Sequence, residues 1–210
     1  MEIKLDYLFC IVVVAIGSTI LHELAHGFVA YKLGDDTAKL SGRLSFNPLK
    51  HIDPMMSIIM PLIFAILGMP ILGGAKPVPV NTRRLKWDEW GFALVALAGP
   101  LVNFVLSFIF FLLWYFVAQD GFWGTFFQVG VMMNFGFMLF NLIPIPPLDG
   151  SRILYAFAPD FVRNIMTSME SYGIAVIYVL LCFCGSLFAN YIMWAENGLL
   201  DLFFWIVGAR

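Results

Sequence analysis

Charged side chains are scarce in this chain. Asp, Glu, Lys and Arg make up only 12% of its 210 residues, whereas 61% of the residues are hydrophobic. Soluble domains carry about 25% charged residues, so the composition excludes an ordinary soluble globular protein and favours a membrane protein. The net charge of −2 gives no electrostatic basis for a nucleic-acid partner. A chain of this length is expected to form a single domain, residues 1–210.

Cysteine and histidine are scarce as well. The three cysteines, Cys10, Cys182 and Cys184, all lie in apolar runs. Their odd number argues against a disulfide framework. Cysteines on an apolar helix are also more typical of packing than of a metal pair. Of the three histidines, two stand four residues apart, at positions 22 and 26.

Long apolar runs predict the membrane-spanning helices. Residues 5–31, 90–118, 125–145 and 172–190 each reach or approach the roughly 20 residues needed to cross the hydrocarbon core. The tail 199–207 is apolar but short, with Glu196 and Asp201 close by, so it is expected to lie at the interface or to cross only in part. These runs predict an all-α polytopic membrane protein.

The histidine pair belongs to a His22-Glu23-x-x-His26 motif near the end of the first predicted span. Residues four apart lie on one face of a helix, so both imidazoles can bind one metal ion. Glu23 stands where a general base for a metal-activated water is expected. Because ionisable groups within a span are costly and usually functional, the motif predicts a zinc site.

A third ligand is expected from the later part of the chain, because catalytic zinc usually has three protein ligands and an open fourth position. Asp149, in a Pro-Pro-Leu-Asp-Gly stretch after the third span, is the best candidate. The alternative is that Asp149 only caps the following helix, since Asp is a favoured N-cap residue.

The depth of Asp149 constrains the apolar segment 54–74, which Pro61, Gly68 and Pro70 interrupt. If this segment crossed the membrane, Asp149 would reach the face opposite the histidines. If it dips in and returns, the depths agree. The segment is therefore predicted to be re-entrant, which is tolerated where irregular backbone is buried in protein or lines a cavity.

Basic residues provide an independent argument for this topology. The re-entrant path places ten of the 12 Lys and Arg on one side, which the positive-inside rule makes cytoplasmic. The zinc would then lie nearer the cytoplasmic face. The ten residues are Lys32, Lys39, Arg43, Lys50, Lys76, Arg83, Arg84, Lys86, Arg152 and Arg163.

Two short stretches, 37–46 and 76–80, show alternation or closely spaced prolines. Because proline excludes helix, they are predicted to form a small β-structure beside the site. An exposed strand edge there could hold a substrate in extended form.

Three further polar residues are candidates for the site. Asn103 and Asn141 could offer hydrogen bonds to the backbone of an unwound substrate helix, although either could instead serve a neighbouring helix. His51, the third histidine, could approach the metal or gate access to it, or be a polar residue at the membrane interface.

Three motifs occur in order: His-Glu-Leu-Ala-His-Gly at 22–27, Gly-Pro-Leu-Val-Asn at 99–103 and Asn-Leu-Ile-Pro-Ile-Pro-Pro-Leu-Asp-Gly at 141–150. Together they resemble the site-2 protease family of intramembrane zinc metalloproteases, over residues 5–155. The resemblance implies one Zn²⁺ held by His22, His26 and Asp149, Glu23 as the catalytic base, and Asn103 as an active-site or substrate contact.

The resemblance also implies a three-helix catalytic core, which one or two further C-terminal helices would follow. Residues 47–54 and 76–81 are similar to a compact prokaryotic branch without PDZ or CBS domains, so a prokaryotic cell membrane is expected.

The sequence therefore predicts a zinc endopeptidase that acts on transmembrane protein substrates. One alternative is a non-proteolytic zinc-containing membrane protein that binds transmembrane helices, although a purely structural zinc site needs no base such as Glu23. Another is a zinc transporter, which would need polar residues on both sides of the site, where the extracytoplasmic halves of the spans are apolar.

Overall fold

The computed structural model describes residues 5–66 and 74–209, which are largely helical. The elements are α1 (Leu5–Lys32), α2 (Thr37–Leu40), a π-helical turn (Pro54–Ile59) that continues into α3 (Met60–Ile66), α4 (Asp88–Phe116), α5 (Gly121–Asn141), α6 (Asp149–Phe157), α7 (Asp160–Glu170) and α8 (Ile174–Ile206).

Four of these helices, α1, α4, α5 and α8, are long and apolar enough to cross a membrane. The bounds of α1, α4 and α5 differ from the predicted spans by no more than four residues. The prediction of a multi-pass, mainly helical membrane protein is confirmed.

The centre of the fold is the contact of α4 with α1 on one side and α5 on the other. Small side chains let helices approach closely where lipid offers no hydrophobic driving force between them. The approach brings the backbone of α4 beside the polar end of α1. The small buried residues of α4 include Gly91, Ala93, Ala96, Ala98, Gly99 and Ser107.

Between α2 and α4, residues 51–57 lie close to residues 74–76. The main-chain N–H of Gly74 donates to the carbonyl of Met56 at 3.1 Å, and the hydroxyl of Ser57 donates to the carbonyl of Gly74 at 2.6 Å. The N–H of Lys76 donates to the carbonyl of His51 at 2.8 Å. The two described ends of this predicted hairpin, at residues 54–57 and 74, thus lie side by side, as a re-entrant path requires. Residues 67–73 of the predicted segment lie outside the described residues.

The helix ends and loops that carry most of the basic residues meet at one end of the helix bundle. The N–H of Lys86 donates to the carbonyl of Leu33 at 2.8 Å, which joins the start of α4 to the end of α1. Arg84 forms an ion pair with Asp36 there. On α7, Arg163 lies 3.6 Å from Glu89 of α4, so α6 and α7 belong to the same end.

The predicted β-structure is wrong, because no strand occurs in residues 5–66 or 74–209. The carboxylate of Asp35 accepts hydrogen bonds from the N–H and hydroxyl of Thr37, where the short helix α2 begins. Residues 76–80 are irregular, because Pro77 and Pro79 have no N–H with which to join a ladder.

The predicted interfacial tail is also different. Residues 199–206 continue α8, which runs unbroken from Ile174 through Glu196 and Asp201 to Ile206. The last turns are held by Phe203, which is fully buried against the aromatic rings of α4 and α5. This packing stabilises one continuous helix, where Glu196 and Asp201 had suggested a separate short tail.

Candidate metal centre

His22 and His26 lie one turn apart on the buried face of α1, near its C-terminal end. Each residue is only 8% exposed. Their Nε2 atoms are 3.0 Å apart, and the two rings meet edge to face with centroids 4.6 Å apart. The four-residue spacing therefore brings both imidazoles to one point, as the motif predicted.

The other ring nitrogen of each histidine is held by α4. Nδ1 of His22 lies 2.6 Å from Oδ1 of Asn103, and Nδ1 of His26 lies 2.7 Å from the carbonyl of Val95. Because both oxygens accept, both Nδ1 atoms carry the hydrogen. The lone pairs of the two Nε2 atoms are left to face each other.

Asp149, the first residue of α6, places its Oδ2 3.2 Å from Nε2 of His22 and 3.4 Å from Nε2 of His26. Burial disfavours its anion and raises the pKa, yet the two imidazoles outweigh burial and lower the pKa of Asp149 to about 2. The capping alternative gains no support, because the N-cap of α6 is Leu148 and no side-chain cap hydrogen bond is formed there.

The turn that delivers Asp149 depends on Gly150. A Cβ at Gly150 would overlap the carbonyls of Leu142 and Ile143, so only glycine lets α6 begin this close to the end of α5. The Asp-Gly pair in the sequence thus combines a candidate ligand with the residue that gives it room.

The three atoms fit zinc. Ligands about 2.0–2.1 Å from a tetrahedral zinc lie about 3.3 Å from one another, and the three separations are 3.0, 3.2 and 3.4 Å. Oδ2 of Asp149 is buried without a hydrogen-bond partner among the described residues. Three unshared lone pairs that converge in this way call for a cation, and two imidazoles with one carboxylate suit zinc. His22, His26 and Asp149 form the one such cluster in residues 5–66 and 74–209.

Gly99 of α4 lies directly against the imidazoles. An added Cβ would be 2.5 Å from Nε2 of His26 and 2.6 Å from Nε2 of His22, well inside van der Waals contact. The absence of a side chain at Gly99 is therefore a condition for the site. The sequence showed the Gly-Pro pair at 99–100 only as part of a motif, and its contact with the histidines was not predicted.

Glu23 does not join the three converging atoms. Its Oε2 accepts a hydrogen bond of 2.8 Å from the main-chain N–H of Val78. The segment around Val78 is in turn held by the buried Arg43, whose guanidinium donates to the carbonyls of Lys76 and Pro77. A residue far from the motif thereby fixes the backbone that contacts Glu23.

Asn103 lies behind the site and not on the wall of its cavity. It is fully buried, its Oδ1 is engaged by His22, and its Nδ2 donates to Oδ1 of Asn134 at 2.9 Å. Both halves of the amide are occupied by protein, which favours a role for Asn103 as an active-site residue behind His22 over that of a substrate contact. Asn134, whose Nδ2 donates to the carbonyl of Gly130, was missed. Its signal was a polar side chain in an apolar span, which needs a partner.

A cavity of about 500 Å³ opens beside the candidate ligands. Asn141 lines it, with its Nδ2 bonded to the carbonyl of Phe137 at 2.9 Å, so its role as a substrate contact stays a prediction. Other walls of this catalytic cavity include Glu23, the 77–80 segment, and the paired Arg152 and Glu170. His51 does not line it.

Comparison with known proteins gives a consistent result. A model of peptidase family M50 matches residues 117–184. The "Putative zinc metalloprotease YwhC" of Bacillus subtilis is 40% identical over 193 residues, which cover 88% of this chain and 84% of that protein. No solved structure matches the chain.

More distant relatives carry the same description. The "Putative zinc metalloprotease Rip2" of Mycolicibacterium smegmatis is 33% identical over 78% of this chain, which spans only 63% of that relative. The "Putative zinc metalloprotease MJ0611" of Methanocaldococcus jannaschii is 35% identical over 70% of each chain. This chain therefore belongs to peptidase family M50, the site-2 protease family of metalloproteases.

Proposed function

We propose that this protein is a zinc-dependent endopeptidase that hydrolyses peptide bonds within or near the transmembrane segments of other membrane proteins. The observation that carries the proposal is the convergence of His22, His26 and Asp149 to within 3.4 Å of one another. Two of the three belong to α1, which is long and apolar enough to cross a membrane, with Glu23 on the same helix.

In this proposal His22, His26 and Asp149 hold one zinc ion, and Glu23 is the catalytic base. Zinc at such a site supplies Lewis acidity, lowering the pKa of water and polarising the scissile carbonyl. Glu23 accepts the proton of the attacking water and later delivers it to the leaving amine. The N–H of Val78 orients the carboxylate of Glu23 through a 2.8 Å hydrogen bond.

The walls of the catalytic cavity serve two chemical needs. Part of its lining is formed by buried residues of α1 and α4, His22, His26, Val95 and Ala96, which limit the access of bulk water to the reacting centre. Its lining also includes the charged Arg152 and Glu170, which suit a path for water from the aqueous side. A hydrolase inside a membrane needs both features, because water is a reactant.

The proposed orientation places this end of the bundle in the cytoplasm of a prokaryotic cell. All ten basic residues named above lie in the elements that meet there or in the loops beside them, in accord with the positive-inside rule. The N-terminus is then outside, and the hairpin 54–74 enters and leaves the membrane from the cytoplasmic side.

The test is a Glu23→Gln variant of the purified protein, assayed for bound zinc and for cleavage of single-span membrane proteins in proteoliposomes. We expect zinc near one equivalent per chain and loss of cleavage. The matched control is Asp160→Asn, since the side chain of Asp160 is 97% exposed and lies on α7. Undiminished proteolysis by Glu23→Gln would contradict the mechanism. Zinc uptake into vesicles without cleavage by the wild-type protein would favour a transporter.

A further inference from the structure

A second cavity of about 300 Å³ lies between α1, α5 and the base of the hairpin. Its lining is mainly apolar, with Ala15 and Ile16 of α1 and Phe137 of α5 among its walls. His51 also lines this α1–hairpin cavity, although the metal centre does not use this histidine.

His51 carries a polar atom whose hydrogen-bonding capacity is unused. The residue is only 3% exposed, and its Nε2 lies 2.7 Å from the carbonyl of Ser45. Because a carbonyl only accepts, Nε2 carries the hydrogen and Nδ1 is left with a lone pair. Nδ1 is buried and has no partner among the described residues, so this side of the imidazole needs a donor from outside residues 5–66 and 74–209.

The α1–hairpin cavity is adjacent to the catalytic cavity along two elements. On α1, Thr19 lines the former and Glu23 the latter, and four residues of helix rise only about 6 Å. Gly74 and Ala75 line the α1–hairpin cavity. Pro77 and Val78, which follow directly in the chain, line the catalytic cavity. An extended peptide advances about 3.3 Å per residue, so one that lies across both cavities would place a residue in the second cavity about two positions from its scissile bond.

The occupant follows from this chemistry. A transmembrane helix that has been unwound for cleavage has main-chain N–H groups with no partner, and such groups are costly in a water-poor environment. We propose that the α1–hairpin cavity is a substrate subsite, a proposal that rests on the proposed function. The cavity encloses an apolar side chain of the unwound substrate, and Nδ1 of His51 accepts a hydrogen bond from a main-chain N–H of the substrate.

Two substitutions separate the two nitrogens of His51. In His51→Gln the side-chain amide can replace Nε2 at the carbonyl of Ser45 but leaves no acceptor at the position of Nδ1. In His51→Asn the amide can replace Nδ1 but does not reach Ser45. We expect His51→Gln to raise KM about tenfold with kcat changed less than twofold, because a contact made equally in the bound substrate and the transition state affects KM alone. His51→Asn is expected to stay within about threefold of the wild-type KM.

The assay uses the full-length wild-type protein, the two variants and a single-span reporter peptide whose cleavage site is mapped by mass spectrometry. Bound zinc verifies that each variant is folded. The opposite order, with His51→Asn impaired and His51→Gln normal, would overturn the proposal and assign His51 a structural role at Ser45. Cleavage by the wild type with a normal KM for both variants would overturn this subsite alone, whereas no cleavage of any single-span reporter by the zinc-loaded wild type would overturn the proposed function.

A second measurement tests the enclosed side chain. Ala15→Leu reduces the volume of the cavity, so we expect it to lower kcat/KM about tenfold for reporters with Leu or Phe two or three residues from the scissile bond, but not for reporters with Ala there. Val13→Leu is the control, because Val13 is exposed on α1. Equal losses on all reporters would overturn the assignment of this pocket to a substrate side chain.

Discussion

Oδ1 of Asn103 lies 2.6 Å from Nδ1 of His22, and the same side chain donates its amide hydrogen to Asn134 of α5. A single buried amide of α4 thus connects the candidate ligand His22 of α1 to Asn134 of α5. The tautomer of His22 depends on this contact, since an acceptor at Nδ1 leaves the lone pair on Nε2.

We expect Asn103→Leu to weaken zinc binding by about 10–100-fold, the usual effect of removing a partner of a metal-ligating histidine. Asn103→Asp keeps the acceptor for His22 but loses the donor to Asn134, so we expect its zinc affinity to fall less than that of Asn103→Leu. Competition with a zinc chelator measures both affinities. Equal zinc affinity in Asn103→Leu and the wild type would show that the contact does not orient His22.

Gly99→Ala should abolish the metal centre, because the added methyl group would lie 2.5 Å from Nε2 of His26. Either α4 or the imidazoles of α1 have to shift, so the three candidate ligand atoms no longer converge. Gly17→Ala in α1 is the control, since a Cβ there meets no atom within 4 Å and alanine favours helix by about 1 kcal/mol. Zinc content by elemental analysis and circular dichroism separate loss of the site from loss of the fold.

Val78→Pro should lower kcat about tenfold while zinc stays bound, because proline has no N–H to donate to Glu23. Val78→Ala removes side-chain packing but keeps the N–H. The difference in kcat between these two variants therefore measures the hydrogen bond itself. If both variants lose the same activity, the N–H of Val78 has no part in orienting Glu23.

Asp149→Asn should lose zinc, because a neutral amide is a poor replacement for an anionic ligand whose pKa is held at about 2. Asparagine is as good an N-cap as aspartate, so the variant also tests the capping role that α6 does not show. Dialysis against a chelator should inactivate the wild-type protein, and added zinc should restore it. An Asp149→Asn protein with one equivalent of zinc would remove Asp149 from the ligand set.

The spans and the candidate ligands were accessible to sequence reasoning because both depend on one-dimensional quantities. Helical periodicity brings His22 and His26 together, and membrane thickness fixes the depth at which Asp149 must arrive. Contacts between helices were less accessible. Asn134 acquires its role only when α4 and α5 pack in one register, and the volume denied at Gly99 is visible only with the imidazoles in place.

The errors had a different origin. Residues 37–46 alternate in polarity, but the side chain of Asp35 promotes a helical turn at Thr37. Glu196 and Asp201 implied a break in the last helix, yet the burial of Phe203 in the aromatic cluster outweighs the cost of two carboxylates in α8. In both cases tertiary or side-chain contacts that composition does not contain decided the local structure.

Gly99 and Asn103 lie one helical turn apart on α4, and both contact His22. Gly99 leaves space for the imidazole, and Asn103 provides the oxygen that accepts the hydrogen bond from its Nδ1. Inserting or deleting a single residue between them would rotate one of the two by about 100° away from α1. The length of this turn should therefore tolerate no change in functional relatives, whereas the loop between α4 and α5, far from the metal centre, is free to vary in length.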